Sequence, residues 1–211
     1  MGGARVGVLL GSVFVFAACA SPPRNDLADN DKLYRWTGYR AKLSADRRVC
    51  VLPIVDERKP PVVDATSPYP VTFVSEGHWH RAVPEMIDEL VRREVEDSGV
   101  FGEVVDEPRP DVCLLRVSIV SFEGGIQEVT TGRRTFATTR LLAIVEGPEQ
   151  DGQRPELLRE ELGQQMQSEV VMTPPSPLLL LGRCTRLDMH TLLSKIDQGN
   201  LGRSAVATPG R

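Results

Sequence analysis

The sequence predicts an α/β protein: a single α/β sandwich in which a mixed sheet of about five strands packs with two amphipathic helices, over residues 45–201. Two observations carry that expectation. Short β-forming runs alternate with helix-period runs, a strand-like stretch coming before the first helix and several after it. The chain is also 41% apolar without any internal repeat, which suits one core of moderate size.

The elements follow in order. RRVCVLPIVDERKPP holds β-formers from 49 to 55, apolar on both faces as in a central strand, and Pro53 marks where that strand begins to leave the sheet. Residues 56–81 form a long excursion with Pro60, Pro61, Pro68 and Pro70 around an apolar island at 71–74, and excursions of this length in a compact domain are often functional. AVPEMIDELVRREVEDSG is the clearest helix. Pro84 fits its first turn, Met86, Ile87, Leu90, Val91 and Val95 make one stripe, and Gly99 closes it. Residues 100–105 read as a short strand, and EPRPD as a turn.

DVCLLRVSIVSFEGG then places Cys113, Leu115, Val117 and Ile119 on one face of a strand. RRTFATTRLLAIVE alternates similarly, Phe136, Thr138, Arg140, Leu142 and Ile144 sharing a face, and the glycines at 124, 125 and 132 supply turns for a meander. In residues 156–172, Leu158, Leu162, Met166 and Val170 recur every four positions, which fits a helix stripe or one strand face. Propensity favours helix, but Gly163 and the place after two antiparallel strands favour a third strand, which is the reading adopted. TPPSPLLLLGR reads as a proline-rich turn running into four leucines. RLDMHTLLSKIDQG supplies a second helix through Leu187, Met189, Leu192, Leu193 and Ile196, stopped at Gly199, and residues 202–211 read as a disordered tail.

Ahead of the domain, MGGAR is followed by an uncharged apolar run at 6–18, too short to span a bilayer but suited to a secretory signal. Phe16-Ala17-Ala18-Cys19 resembles the lipobox of bacterial lipoproteins, with Phe16 where an aliphatic residue is usual. The resemblance implies that residues 1–18 are a cleaved signal peptide and that Cys19 becomes a diacylglycerol-modified, further acylated (palmitate-bearing) N-terminus. Two or three acyl chains hold where one does not. An ordinary signal cut nearby is the alternative. Ala20 and Ser21 after the cysteine, instead of Asp, imply the outer membrane, with the domain on its periplasmic face. Residues 19–44 are then anchor and linker: ASPPRNDLADN shows nothing to bury, and the aromatic segment 31–43, with Leu33, Tyr34, Trp36 and Tyr39, either packs on the domain or touches the membrane surface.

Removing residues 1–18 takes away one Arg and no acid, so the formal charge of −4 becomes about −5, which excludes an electrostatic footprint for nucleic acid. Three cysteines remain. Cys50 and Cys113 lie in strand-like runs, so the sequence leaves open either a bridge between them or three small buried hydrophobes.

VCVLPIVDERK, DELVRREVEDSGVFGEVV and PDVCLLRVSIVSFEGG together resemble envelope lipoproteins built on an anticodon-binding-domain-like α/β sandwich, the group of the curli-secretion, penicillin-binding-protein-activator and polysaccharide-export lipoproteins. The auxiliary lipoproteins of ABC-type lipid transport systems share much of this order, including a strand ending in SFE. The resemblance covers residues 48–145. It implies a non-enzymatic accessory or assembly component of a cell-envelope machine, with an ABC-transport auxiliary subunit as the alternative.

A competing class, a periplasmic metal-dependent hydrolase, rests on His78 and His80, which point the same way in an extended segment, with Glu76 and His190 as further candidate ligands. Neither a GxSxG elbow nor a phosphate-binding glycine loop occurs, and no cofactor is expected. The residues that suit binding are Tyr69, Phe73 and Trp79 in the excursion, with Leu179 and Leu180 from the leucine run, as contacts to an envelope protein or a second copy of the chain. A sheet edge could also accept a partner's strand.

Overall fold

A computed structural model describes residues 25–61 and 67–204; Cys19, the signal region and residues 205–211 lie outside it. In chain order the elements are β1 (Arg48–Val51), β2 (Val55–Asp56), β3 (Val71–Phe73), a 3-10 turn (Glu76–His78), α1 (Val83–Ser98), β4 (Glu103–Val105), β5 (Cys113–Val129), β6 (Gly132–Glu146), β7 (Glu156–Gln167) and α2 (Pro177–Gln198). The fold is the expected α/β sandwich, with a mixed sheet of seven strands in the order β4-β1-β5-β6-β7. Two of the seven are fragments: β2 runs parallel and β3 antiparallel to β5, beyond β1 on the same edge.

Pro53 explains the first break. Leu52 still donates its N–H to Leu115, Pro53 has none to give, and pairing resumes at Val55 and Asp56. β5 and β6 form a long hairpin. Its register shifts between Ile119 and Ser121, leaving Val120 as an extra residue that turns Phe122 and Gly124 inward where Cys113, Leu115, Val117 and Ile119 had been. On β6 the buried side chains are Thr135, Ala137, Thr139, Leu141, Ala143 and Val145, mostly small; Phe136, Leu142 and Ile144 lie on the opposite, half-covered face. Residues 156–167 are a strand as expected. Leu158, Leu162 and Met166 stand opposite the inward residues Val145, Leu141 and Ala137.

Both helices cover one face and share a single core with the sheet. The Ser176 hydroxyl caps α2, accepting from the Leu178 N–H, and Pro177 occupies its first turn. The leucine run, which the sequence placed between a proline-rich turn and the second helix, is itself the start of α2, because Ser-Pro starts a helix there and Leu178, Leu180 and Leu181 are buried. Cys50 and Cys113 sit on neighbouring strands but face opposite sides: Cys50 joins a small cluster with Val112 and Leu114, Cys113 the main core. Both thiols are free, as is Cys184, and burial raises all three above the ordinary thiol range.

The anchor-proximal linker needs correction. From Asn25 onward it is a strap laid over the helices, with Asp26, Leu27, Ala28 and Tyr34 buried. Its polar groups are satisfied there: Asp26 accepts the Ala28 N–H and pairs with Arg81 at 2.6 Å. Glu94 of α1 accepts the Tyr34 hydroxyl at 2.7 Å, the Thr37 N–H at 2.8 Å and the Thr37 hydroxyl at 2.6 Å. Farther on, Asp197 of α2 accepts the Tyr39 hydroxyl and the Lys42 N–H. Residues 31–43 thus pack on the domain. Nor is Gly202 a loose tail residue: it is buried, and its carbonyl accepts from the N–H groups of Asp46 and Arg47.

Candidate partner-binding cleft

The break between β2 and β3 leaves a recess lined by both apolar and charged residues. β2 stops pairing at Ile119 and β3 begins at Gly125, with the Val74 N–H donated to the Gly124 carbonyl between them. No strand among the described residues covers 120–123 on this edge. A cleft of about 420 Å³ opens there, lined by the half-buried Phe73 and Val74, by Pro60 and Pro61 and by the edge of the core residue Phe122, and rimmed by Asp56, Arg58, Lys59, Glu76 and Glu123.

Its walls are braced from behind. Phe73 meets Phe136 edge to face at 5.6 Å between centroids, and Phe122 leans on Trp79 at 5.7 Å. Arg58 binds Asp56 and Glu76, each at 2.7 Å, which ties the exit of β2 to the 3-10 turn. The Arg58 guanidinium holds the Asp56 carboxyl below the usual carboxylate range. The guanidinium is itself held above its ordinary value, first by Asp56 and then by Glu76. Among the described residues Lys59 and Glu123, also on the rim, have no ion-pair partner. A larger groove of about 610 Å³ runs along α1 from Pro53 and Ile54, but its charges answer one another: Arg81 pairs with Asp26 and Glu89, and Arg92 with Asp88.

The five residues expected to contact a partner separate. Phe73 lines the cleft. Trp79, 9% exposed, and Leu180, 5% exposed, belong to the core, so neither is available to a partner; they are buried because the 3-10 turn folds Trp79 onto Phe122 and α2 lies flat on the sheet. Leu179 is half-buried in the first turn of α2. Tyr69 is exposed but stands near Thr130 at the end of the β5–β6 hairpin, away from the cleft. Phe122 and Arg58, which shape the recess, enter the sequence reading only inside the SFE and VDERK stretches of the resemblance, where nothing marks them as binding residues.

The histidines do not converge either. The His78 Nδ1 accepts the Ser75 N–H and lies 2.9 Å from the Ser75 hydroxyl, and the Glu76 carboxylate is held by Arg58. His190 packs against Tyr39 on the outer half of α2, far from the 3-10 turn. Among the described residues no three His, Cys, Asp or Glu side chains gather where they could hold a metal ion.

No family model matches the chain, and no curated protein does. Among solved structures it is similar to the hypothetical protein CT253 from Chlamydia trachomatis, at 9% identity and a TM-score of 0.44, over 74% of this chain and 98% of that one. It is also similar to an uncharacterized protein, at 11% identity and a TM-score of 0.43, over 75% and 97%.

Proposed function

We propose that this chain is a non-enzymatic lipoprotein, anchored through Cys19 at the periplasmic face of the outer membrane, that binds a protein partner of a cell-envelope machine in the cleft between β2 and β3. The observation that carries the binding role is the braced recess itself. The half-buried Phe73 and Val74 offer an apolar floor beside a stretch of strand edge that no described strand covers, and Arg58 is already fixed by two carboxylates, so little ordering remains to be done on binding. A short extended segment with one large apolar side chain fits such a site: its backbone can meet the edge at 120–123 while the side chain packs against Phe73. The lipobox resemblance supplies the address, and the likeness to envelope lipoproteins the kind of partner.

Cross-linking in whole cells followed by co-purification tests this reading. The native chain should recover a discrete envelope partner, and Lys59→Glu and Phe73→Ala should each weaken that recovery while the thermal midpoint of Lys59→Glu stays unchanged. Equal recovery by all three would refute the cleft as the binding site. A secretion or wall-synthesis component among the products selects the assembly role, and an ABC permease subunit the lipid-transport role.

A further inference from the structure

We infer that the end of the β5–β6 hairpin, with the flanking segments 67–71 and 168–172, rests on the lipid surface in which the acylated Cys19 is held. The inference rests on the lipid-anchor reading above. Of the seven large apolar side chains exposed among the described residues, four are here: Tyr69, Val170, Val171 and Met172, the last 83% exposed. Backbone bonds gather them, since Val171 pairs with Arg133 in both directions at 3.0 and 2.9 Å and the Tyr69 hydroxyl lies 3.4 Å from that of Thr130.

The length of chain outside the described residues says what covers this patch. Asn25 is tied to both flanks of Trp79: its side-chain amide donates to the His78 carbonyl at 2.9 Å, and its carbonyl accepts the His80 N–H at 3.2 Å. Trp79 is level with Phe122 of β5. Six residue steps separate Asn25 from Cys19, a span of at most about 20 Å even fully extended. The bilayer that holds the acyl chains therefore lies within that radius of Asn25.

The hairpin end is at the matching height. A strand rises about 3.3 Å per residue, so Glu128 and Val129 stand about 20 Å beyond Phe122 along β5. Both helices begin below this level: Pro177, the first residue of α2, lies beside Gly124, and Val83 of α1 follows the 3-10 turn. The hairpin and its two flanks run on past this level. At this end Glu128 pairs with Arg133 at 3.0 Å, while Arg134 is held at 2.8 Å by the neutral Gln127 amide and keeps its charge; one such cation falls short of the cluster of about four to eight that draws a chain to anionic lipid. Contact is accordingly apolar, and it depends on the covalent anchor to bring the patch to the surface.

The test uses the full chain, matured in cells, purified from membranes and reconstituted into vesicles of phosphatidylethanolamine and phosphatidylglycerol that contain a spin-labelled lipid quencher. An environment-sensitive fluorophore is placed at Met172→Cys or, as control, at Leu43→Cys, which is 63% exposed at the opposite end of the domain. Cys50, Cys113 and Cys184 are buried and leave the introduced thiol as the labelling site. The Met172 label should emit at shorter wavelength and be quenched several-fold more than the Leu43 label. Equal quenching at the two sites in a chain whose acylation is verified by mass overturns this inference alone. A chain that carries no acyl group and does not float with vesicles overturns the anchor and this inference together. A blue shift that arises without vesicles and grows with protein concentration assigns the patch to a second copy of the chain and also overturns it.

Discussion

Asp188 lies in the middle of α2 with no exposed surface, and its Oδ2 accepts the Thr139 hydroxyl at 2.5 Å. Burial raises its carboxyl to about 6, against the opposing help of Thr139 and Gln164. Between the ordinary carboxylate range and about 6, the folded state therefore holds a proton that the unfolded chain has released. The sign follows: this residue makes stability fall as pH rises through that window and level off above it. Asp188→Asn, which keeps an acceptor for Thr139, should remove the slope and add about 2 kcal/mol near neutral pH, read from urea midpoints on either side of the window. Glu94 has the opposite character. It is buried but satisfied by three hydrogen bonds, and truncating it leaves the Tyr34 hydroxyl and the Thr37 N–H without their acceptor. Glu94→Ala should cost about 3 kcal/mol in the same measurement.

At the scale of elements, the strap at 25–43 depends on a close crossing over α2. A Cβ at Gly182 would stand 1.8 Å from the Leu33 carbonyl oxygen, so only glycine lets the strap lie down there. In an isolated helix Gly182→Ala would be favourable by roughly 0.5–1 kcal/mol. Here it should lower the melting temperature instead. The Leu33 and Tyr34 amides, both donating to the Asn30 carbonyl, should exchange faster with solvent while the β5–β6 ladder stays protected. The aromatic part of the strap at 31–43 was open to a packed reading in sequence, but its start at 25–30 was illegible because its buried groups include Asp26, and a buried acid shows itself only once Arg81 and the Ala28 N–H are in place. The α1 stripe, by contrast, was plain from periodicity. For residues 156–167 periodicity could not decide, and the place after a two-stranded meander did. The start of α2 was hidden because Pro174, Pro175 and Pro177 suggest a turn, whereas Pro177 in a first helical turn after Ser176 opens a helix.

In the proposed reading the whole molecule joins a short leash to a preformed cleft, and the two were unequally legible. The leash was half visible: the cysteine after the apolar run could be read, but the pinning of Asn25 that shortens the tether could not. Of the cleft, Phe73 stood out as part of an apolar island among prolines. Phe122 did not, because the extra residue at Val120 that turns it inward is a backbone event with no marker in residue type. If the anchor proposed above holds the hairpin end at the bilayer, lengthening the tether by a flexible insertion between Ser21 and Asn25 should leave acylation and folding intact and weaken quenching at Met172.

The most direct measurement is the intact mass of the mature protein in separated inner-membrane, outer-membrane and soluble fractions, for the native chain and for Cys19→Ala. The native protein is expected in the outer-membrane fraction, beginning at Cys19 and heavier by a diacylglyceryl group and a further acyl chain, while Cys19→Ala loses the added mass and leaves that fraction. A native chain that begins elsewhere with no added mass, or a Cys19→Ala chain that keeps both its processing and its place in the membrane, would contradict the lipid anchor on which the proposed function stands.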